Sequence, residues 1–162
     1  MNCATVIEEN RRRLDSFLRP YNQITGEGST CIPRQRLCIE ELGGVLYVPV
    51  GMVEENVWVQ LLAKHASFGR FIAEELHMIP DSKNIEELTG QFYMLRIRYD
   101  FEFWAASSVV IKDKISGADV PFFLNYAQRR LLSKFEDARL HDRPIRIILL
   151  KARQWGGSTL TQ

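Results

Sequence analysis

Cysteine is scarce in this sequence. Cys3, Cys31 and Cys38 make an odd count and contain no C-x-x-C pair. This argues against a disulfide scaffold and a thiolate zinc site, so reduced thiols are expected and Cys31 and Cys38 are not expected to pair. His65 and His77 have no carboxylate or cysteine at ligand spacing on a shared helix, so both read as structural or surface residues. No apolar run reaches the roughly eighteen residues of a membrane-spanning helix. Arg11, Arg12 and Arg13 interrupt the start before any long apolar stretch, so no secretory signal peptide is expected. No single sign of charge dominates either. The 21 Lys and Arg face 20 Asp and Glu, and a net charge of +1 points neither toward nor away from nucleic acid.

The 162 residues suffice for one domain or two small subdomains, and 46% hydrophobic with 25% charged content is ordinary for a globular protein. The distribution of charge is more telling than its sum. Residues 125–153 hold eight basic and three acidic side chains, whereas residues 1–124 hold thirteen and seventeen. The basic excess sits in the part that a phosphate-bearing ligand would meet.

Periodicity gives the expected elements. Residues 4–19 read as an amphipathic helix ended by Pro20, with the three arginines on a solvated face. Residues 21–31 read as a loop centred on Gly26 and Gly28. Residues 36–40 and 45–50 read as a hairpin turning at Gly43 and Gly44. Helices are expected over 54–65 and 67–78, and a boundary at Pro80. Residues 85–95 are ambiguous. Residues 98–110 are rich in aromatics, which read as packing because Asp100 and Glu102 interleave them. Residues 112–117 read as a turn. Residues 125–140 form the clearest helix, with Asn125 as N-cap and Gln128 near its start. The division expected is a small α+β region, 1–80, of unassigned role, and a second unit, 81–162.

Residues 145–150 form an almost unbroken apolar run, Ile, Arg, Ile, Ile, Leu, Leu, opened by Pro144. The pattern predicts a central strand buried on both faces. Next come Lys151, Ala152, Arg153, Gln154, Trp155, Gly156, Gly157, Ser158 and Thr159. A strand, a basic glycine-containing turn and a hydroxyl pair are the parts of a phosphate-binding loop. Set on the pattern G-x-x-x-x-G-K-[ST], Gly156 takes the second glycine and Ser158 the magnesium-binding hydroxyl. Gly157 then stands where lysine is usual, and Lys151 where the first glycine is usual.

The stretch KARQWGGSTL resembles the variant nucleotide-binding loop of tailed-phage large terminase subunits, the motors that pump DNA into proheads. The likeness extends upstream, covering roughly residues 96–162. Phe122, Phe123, Leu124, Asn125, Tyr126, Ala127 and Gln128 resemble that family's adenine-side segment, and residues 98–104 its aromatic entry segment. The resemblance implies an α/β fold: an incomplete P-loop NTPase core, first strand and phosphate loop, preceded by the small α+β region. It implies ATP and Mg2+ as cofactors, with Lys151 and Arg153 as catalytic residues. Gln128, Gln154, Trp155, Gly156, Gly157, Ser158 and Thr159 would bind the nucleotide, and Ser158 the metal. Double-stranded DNA, a portal protein and a small terminase subunit are the implied partners, and the cytoplasm of a bacterial host the implied location. The chain stops as a helix would open after the loop, so a fragment that does not hydrolyse ATP alone is expected. Two other readings stay open: a non-catalytic module that binds protein or DNA, and part of a helicase-like ATPase. The coding sequence beyond Gln162 would discriminate among them.

Overall fold

The computed structural model describes residues 3–149 and Leu160, without the side chains of residues 13 and 16–18 in the first helix. Helix α1 (Cys3–Leu18) comes first. A hairpin follows, β1 (Arg34–Ile39) and β2 (Gly44–Pro49), and then four helices: α2 (Val50–Glu54), α3 (Val57–His65), α4 (Phe68–Glu74) and α5 (Ser82–Tyr99). Helix α6 (Phe101–Ser108), a small hairpin of β3 (Val110–Lys112) and β4 (Asp119–Pro121), and α7 (Tyr126–Leu140) complete the order. The protein is thus mixed α and β, with two separate two-stranded antiparallel sheets among the described residues.

The first hairpin forms where alternation predicts it. Leu37 pairs with Leu46, and Leu37, Ile39, Leu46 and Val48 all point into the core. The link between the strands is a 3-10 turn closed by Gly43 at φ 71, whose N–H bonds Glu40 O. Gly26, at φ 80, sits where a Cβ would lie 2.0 Å from Tyr47 O. That close approach lets Thr25 O accept from Tyr47 N–H at 2.7 Å and docks the loop on β2.

The helix expected over 54–65 starts three residues later, at Val57, and a separate short helix, α2, precedes it. Asn56 separates the two: its Nδ2 donates to Met52 O at 2.8 Å, and it serves as N-cap of α3. The helix begun by capping at Ser67 ends at Glu74, four residues earlier than expected. The ambiguous stretch 85–95 lies inside α5, which Asp81 caps by accepting from Asn84 N–H at 2.7 Å.

One core cluster joins the first hairpin with α2, α3, α4 and Phe92 of α5. Burying each such large side chain contributes about 1.5–3 kcal/mol. The second cluster joins Cys31, Ala105, Phe122, Leu124, Leu131, Leu132 and Leu160. The turn at Pro80 lies between α4 and α5, and Phe71 and Phe92 of these helices share the first cluster. Among the described residues no helix is long and apolar enough to cross a membrane.

The expected strand at 145–150 is a correction. Residues 144–149 are irregular and exposed, Ile148 at 92%, and Leu150 lies outside the described residues. A strand apolar on both faces needs a neighbouring strand and covering layers. Neither two-stranded sheet takes the run as a neighbour.

Candidate functional site

The densest chemistry among the described residues is a buried polar network where the loop after α1, the start of β1, the α5–α6 junction and the approach to α7 meet. Asp100 ends α5 and caps α6, its Oδ1 accepting from Phe103 N–H at 3.2 Å. Glu102 stands in the first turn of α6. Asp100 is 0% exposed and Glu102 2%. Carboxylates so buried need charge-assisted partners.

Arg34 supplies them. Its Nη1 and Nη2 donate to the two Asp100 oxygens at 2.6 and 2.8 Å, and Nη2 also reaches Glu102 Oε2 at 2.6 Å. Nη1 donates further to Tyr47 O at 2.8 Å. Burial alone would pull this guanidinium's pKa down, but the bonds and charges of Asp100 and Glu102 hold it above its ordinary value. Arg96 is also buried, with its guanidinium 4.1 Å from the Phe103 ring centroid and Nε 3.4 Å from Asp100 Oδ2. Its burial outweighs the attraction of Asp100 and leaves its pKa lowered.

The second half of the network comes from the loop. Tyr21 Oη donates to Glu102 Oε1 at 2.7 Å, Cys31 Sγ lies 3.3 Å from the same oxygen, and Ser29 Oγ bonds Oε2. Burial, then the Glu102 charge, raise both the Tyr21 phenol and the Cys31 thiol well above their ordinary values. Arg129 of α7 stacks 3.9 Å over the Tyr21 ring. The Gln23 amide acts as a surrogate strand. Its Nε2 donates to Glu102 O (2.7 Å) and Phe122 O (3.0 Å), and its Oε1 accepts from Leu124 N–H (2.8 Å).

That clamp bears on one expected site residue. Gln128 is buried at the third position of α7 in a capping box. Asn125 Oδ1 accepts from Gln128 N–H, and Gln128 Oε1 accepts from Asn125 N–H, each at 2.9 Å. The spacing Asn-x-x-Gln carries this second role in the sequence, alongside the adenine-side role that the resemblance implies. Lys151, Arg153, Gln154, Trp155, Gly156, Gly157, Ser158 and Thr159 lie outside the described residues. His65, read as structural, holds Glu75 Oε1 at 2.7 Å and Glu74 Oε2 at 3.3 Å. Among the described residues no three His, Cys, Asp or Glu side chains are grouped to hold a metal.

Sequence reasoning missed the network's members. Asp100 and Glu102 were legible as acids among aromatics, but that pattern reads only as packing of the aromatics, and Arg34 lies 66 residues before Asp100. The network can fix the approach to α7 rigidly. The opening that Arg34, Asp100 and Glu102 line holds about 10 Å³, about the least that one water needs and too little for a substrate. The chain matches no protein-family model, no curated protein and no solved structure.

Proposed function

We propose that this chain is the N-terminal part of a DNA-packaging ATPase like the large terminase subunits of tailed phages. The observation that carries the reading is the stretch from Lys151 to Thr159, a basic, glycine-containing turn ending in two hydroxyls directly after an apolar run. Backbone N–H groups of such a turn suit a phosphate, and Lys151 and Arg153 add the charge for it. Ser158 would hold Mg2+ and Gln154 to Thr159 would cradle the phosphates of ATP. Bound there, the magnesium nucleotide supplies the phosphoryl group whose transfer drives translocation. The described residues add support at the adenine side: Gln23, which also binds Glu102 O, holds Phe122 and Leu124 in place ahead of the helix that carries Gln128. Double-stranded DNA, the portal and the small subunit are the proposed partners of the whole protein.

A second reading, a non-catalytic binding module, is favoured by one observation: residues 145–149 are exposed and in no strand. Calorimetric titration with magnesium ATP separates the two. The ATPase reading expects saturable binding that Lys151→Ala and Ser158→Ala weaken. Absence of binding, or equal binding by all three proteins, overturns it.

A further inference from the structure

An open cavity of about 400 Å³ lies where the start of α6, the second half of α7 and the stretch after α7 meet, a size within the roughly 300–1,000 Å³ of small-molecule sites. Its lining is mostly apolar and aromatic: Phe101 of α6, Leu132 and Phe135 of α7, Ile145 and Leu160. Phe101 leans on Trp104, with ring centroids 5.3 Å apart. Two charged side chains complete the wall, Glu136 and Arg139. Arg139 Nε and Nη2 both donate to Glu136 Oε2, at 3.0 and 2.6 Å. Both arginine bonds fall on one oxygen. Among the described residues, the other oxygen, Oε1, has no hydrogen-bond donor.

An apolar slot with one fixed acceptor in its wall suits a flat heteroaromatic ring that carries an amino group. The order of the chain favours a nucleobase as that ring. Leu160 lines the cavity and directly follows Thr159, so the stretch proposed to hold the phosphates ends at this wall.

We propose that the cavity binds the adenine base of a nucleotide, with Phe101 and Phe135 packed against the ring and Glu136 Oε1 accepting from its 6-amino group. The proposal rests on the ATPase reading for the place of the phosphates, and it names what selects the base. The resemblance gives the base to Gln128, but Gln128 Oε1 already accepts from Asn125 N–H in the capping box. The acceptor that a 6-amino group needs comes instead from Glu136, about two turns further along α7. Guanine is disfavoured, because its edge donates two parallel N–H groups and Glu136 Oε2 is held by Arg139. A 6-oxo base such as hypoxanthine sets a carbonyl oxygen against Oε1, acceptor against acceptor.

The test is calorimetric titration of the full chain with magnesium ATP, magnesium ITP and adenosine. Wild type is expected to bind ATP at least about tenfold more tightly than ITP. Glu136→Gln should bring the two within about threefold, because an amide can donate to a 6-oxo group as well as accept from a 6-amino group. A variant that had merely lost structure would weaken both nucleotides alike. Phe101→Ala should weaken ATP and adenosine at least about fivefold each. Lys151→Ala should weaken ATP and ITP by one common factor and leave adenosine unchanged. Adenosine binding that Phe101→Ala weakens, with no gain from the phosphates of ATP, supports the base site and overturns the phosphate loop. ATP binding without preference over ITP, or a preference that Glu136→Gln leaves intact, overturns the base site while the phosphate loop stands. A chain that binds none of the three overturns both.

Discussion

Replacing Arg34 with alanine should cost more stability than any surface substitution in the chain. The side chain makes two bonds to Asp100, one to Glu102 and one to Tyr47 O, all between 2.6 and 2.8 Å. Without it, two carboxylates stay buried with reduced compensation. Asp100 keeps Phe103 N–H at 3.2 Å and Arg96 Nε at 3.4 Å, and Glu102 keeps Tyr21, Ser29 and Cys31. Breaking a buried pair from one side costs about 3–5 kcal/mol, against a total of about 5–15 kcal/mol for an ordinary domain. With a urea slope of about 2 kcal/mol per molar, the unfolding midpoint should drop by about 2 M. Arg34→Lys should fall between, because an ammonium cannot reproduce the two-pronged bond to Asp100. Equilibrium urea unfolding followed by circular dichroism is the assay. A drop smaller than about 0.5 M for Arg34→Ala would refute the reasoning, since it would mean that the carboxylates do not depend on this cation.

Two further outcomes follow from ionisable groups. Burial is the largest single effect on Glu41 and raises its pKa, but bonds from Gly69 N–H, Ser67 Oγ–H and Phe68 N–H together outweigh it and hold it below the usual carboxylate value. A lowered folded value stabilises at neutral pH, and that contribution is lost as pH falls from about 4.3 through the folded value. Glu41→Gln should therefore flatten the acid limb of stability against pH below about 4.3; an unchanged limb would contradict the assignment. Cys31 is buried with its pKa raised, while Cys3 and Cys38 are exposed. A thiol reagent should modify two cysteines quickly and the third only as the protein unfolds, and three equal rates would contradict this.

How much of the fold the sequence reveals depends on how local each cause is. The first hairpin was legible because alternating Leu37, Ile39, Leu46 and Val48 encode one buried face within sixteen residues of chain. Helix α7 was legible because its period and its capping box are both local. Helix α5 was not: Phe92 and Arg96 are its buried residues, Gly90 in its middle lowers the local helix preference, and its place depends on the hairpin and α2–α4. The apolar run at 145–149 misled for a related reason. A strand pattern states a preference, and pairing partners elsewhere in the chain decide whether it is met. The Arg34–Asp100–Glu102 network was illegible because nothing near Asp100 or Glu102 announces a cation 66 and 68 residues earlier.

The proposed nucleotide loop is tested most directly by following backbone amide resonances of the isotope-labelled chain during titration with magnesium ATP. An anion cradle acts through N–H groups, so the largest changes should fall on Gly156, Gly157, Ser158 and Thr159, with smaller ones at Gln128 on α7. Ser158→Ala should reduce the magnesium dependence of those changes. Resonances of residues 151–159 that do not move at saturating nucleotide, or changes confined to other surfaces, would contradict the phosphate-loop reading and with it the proposed ATPase.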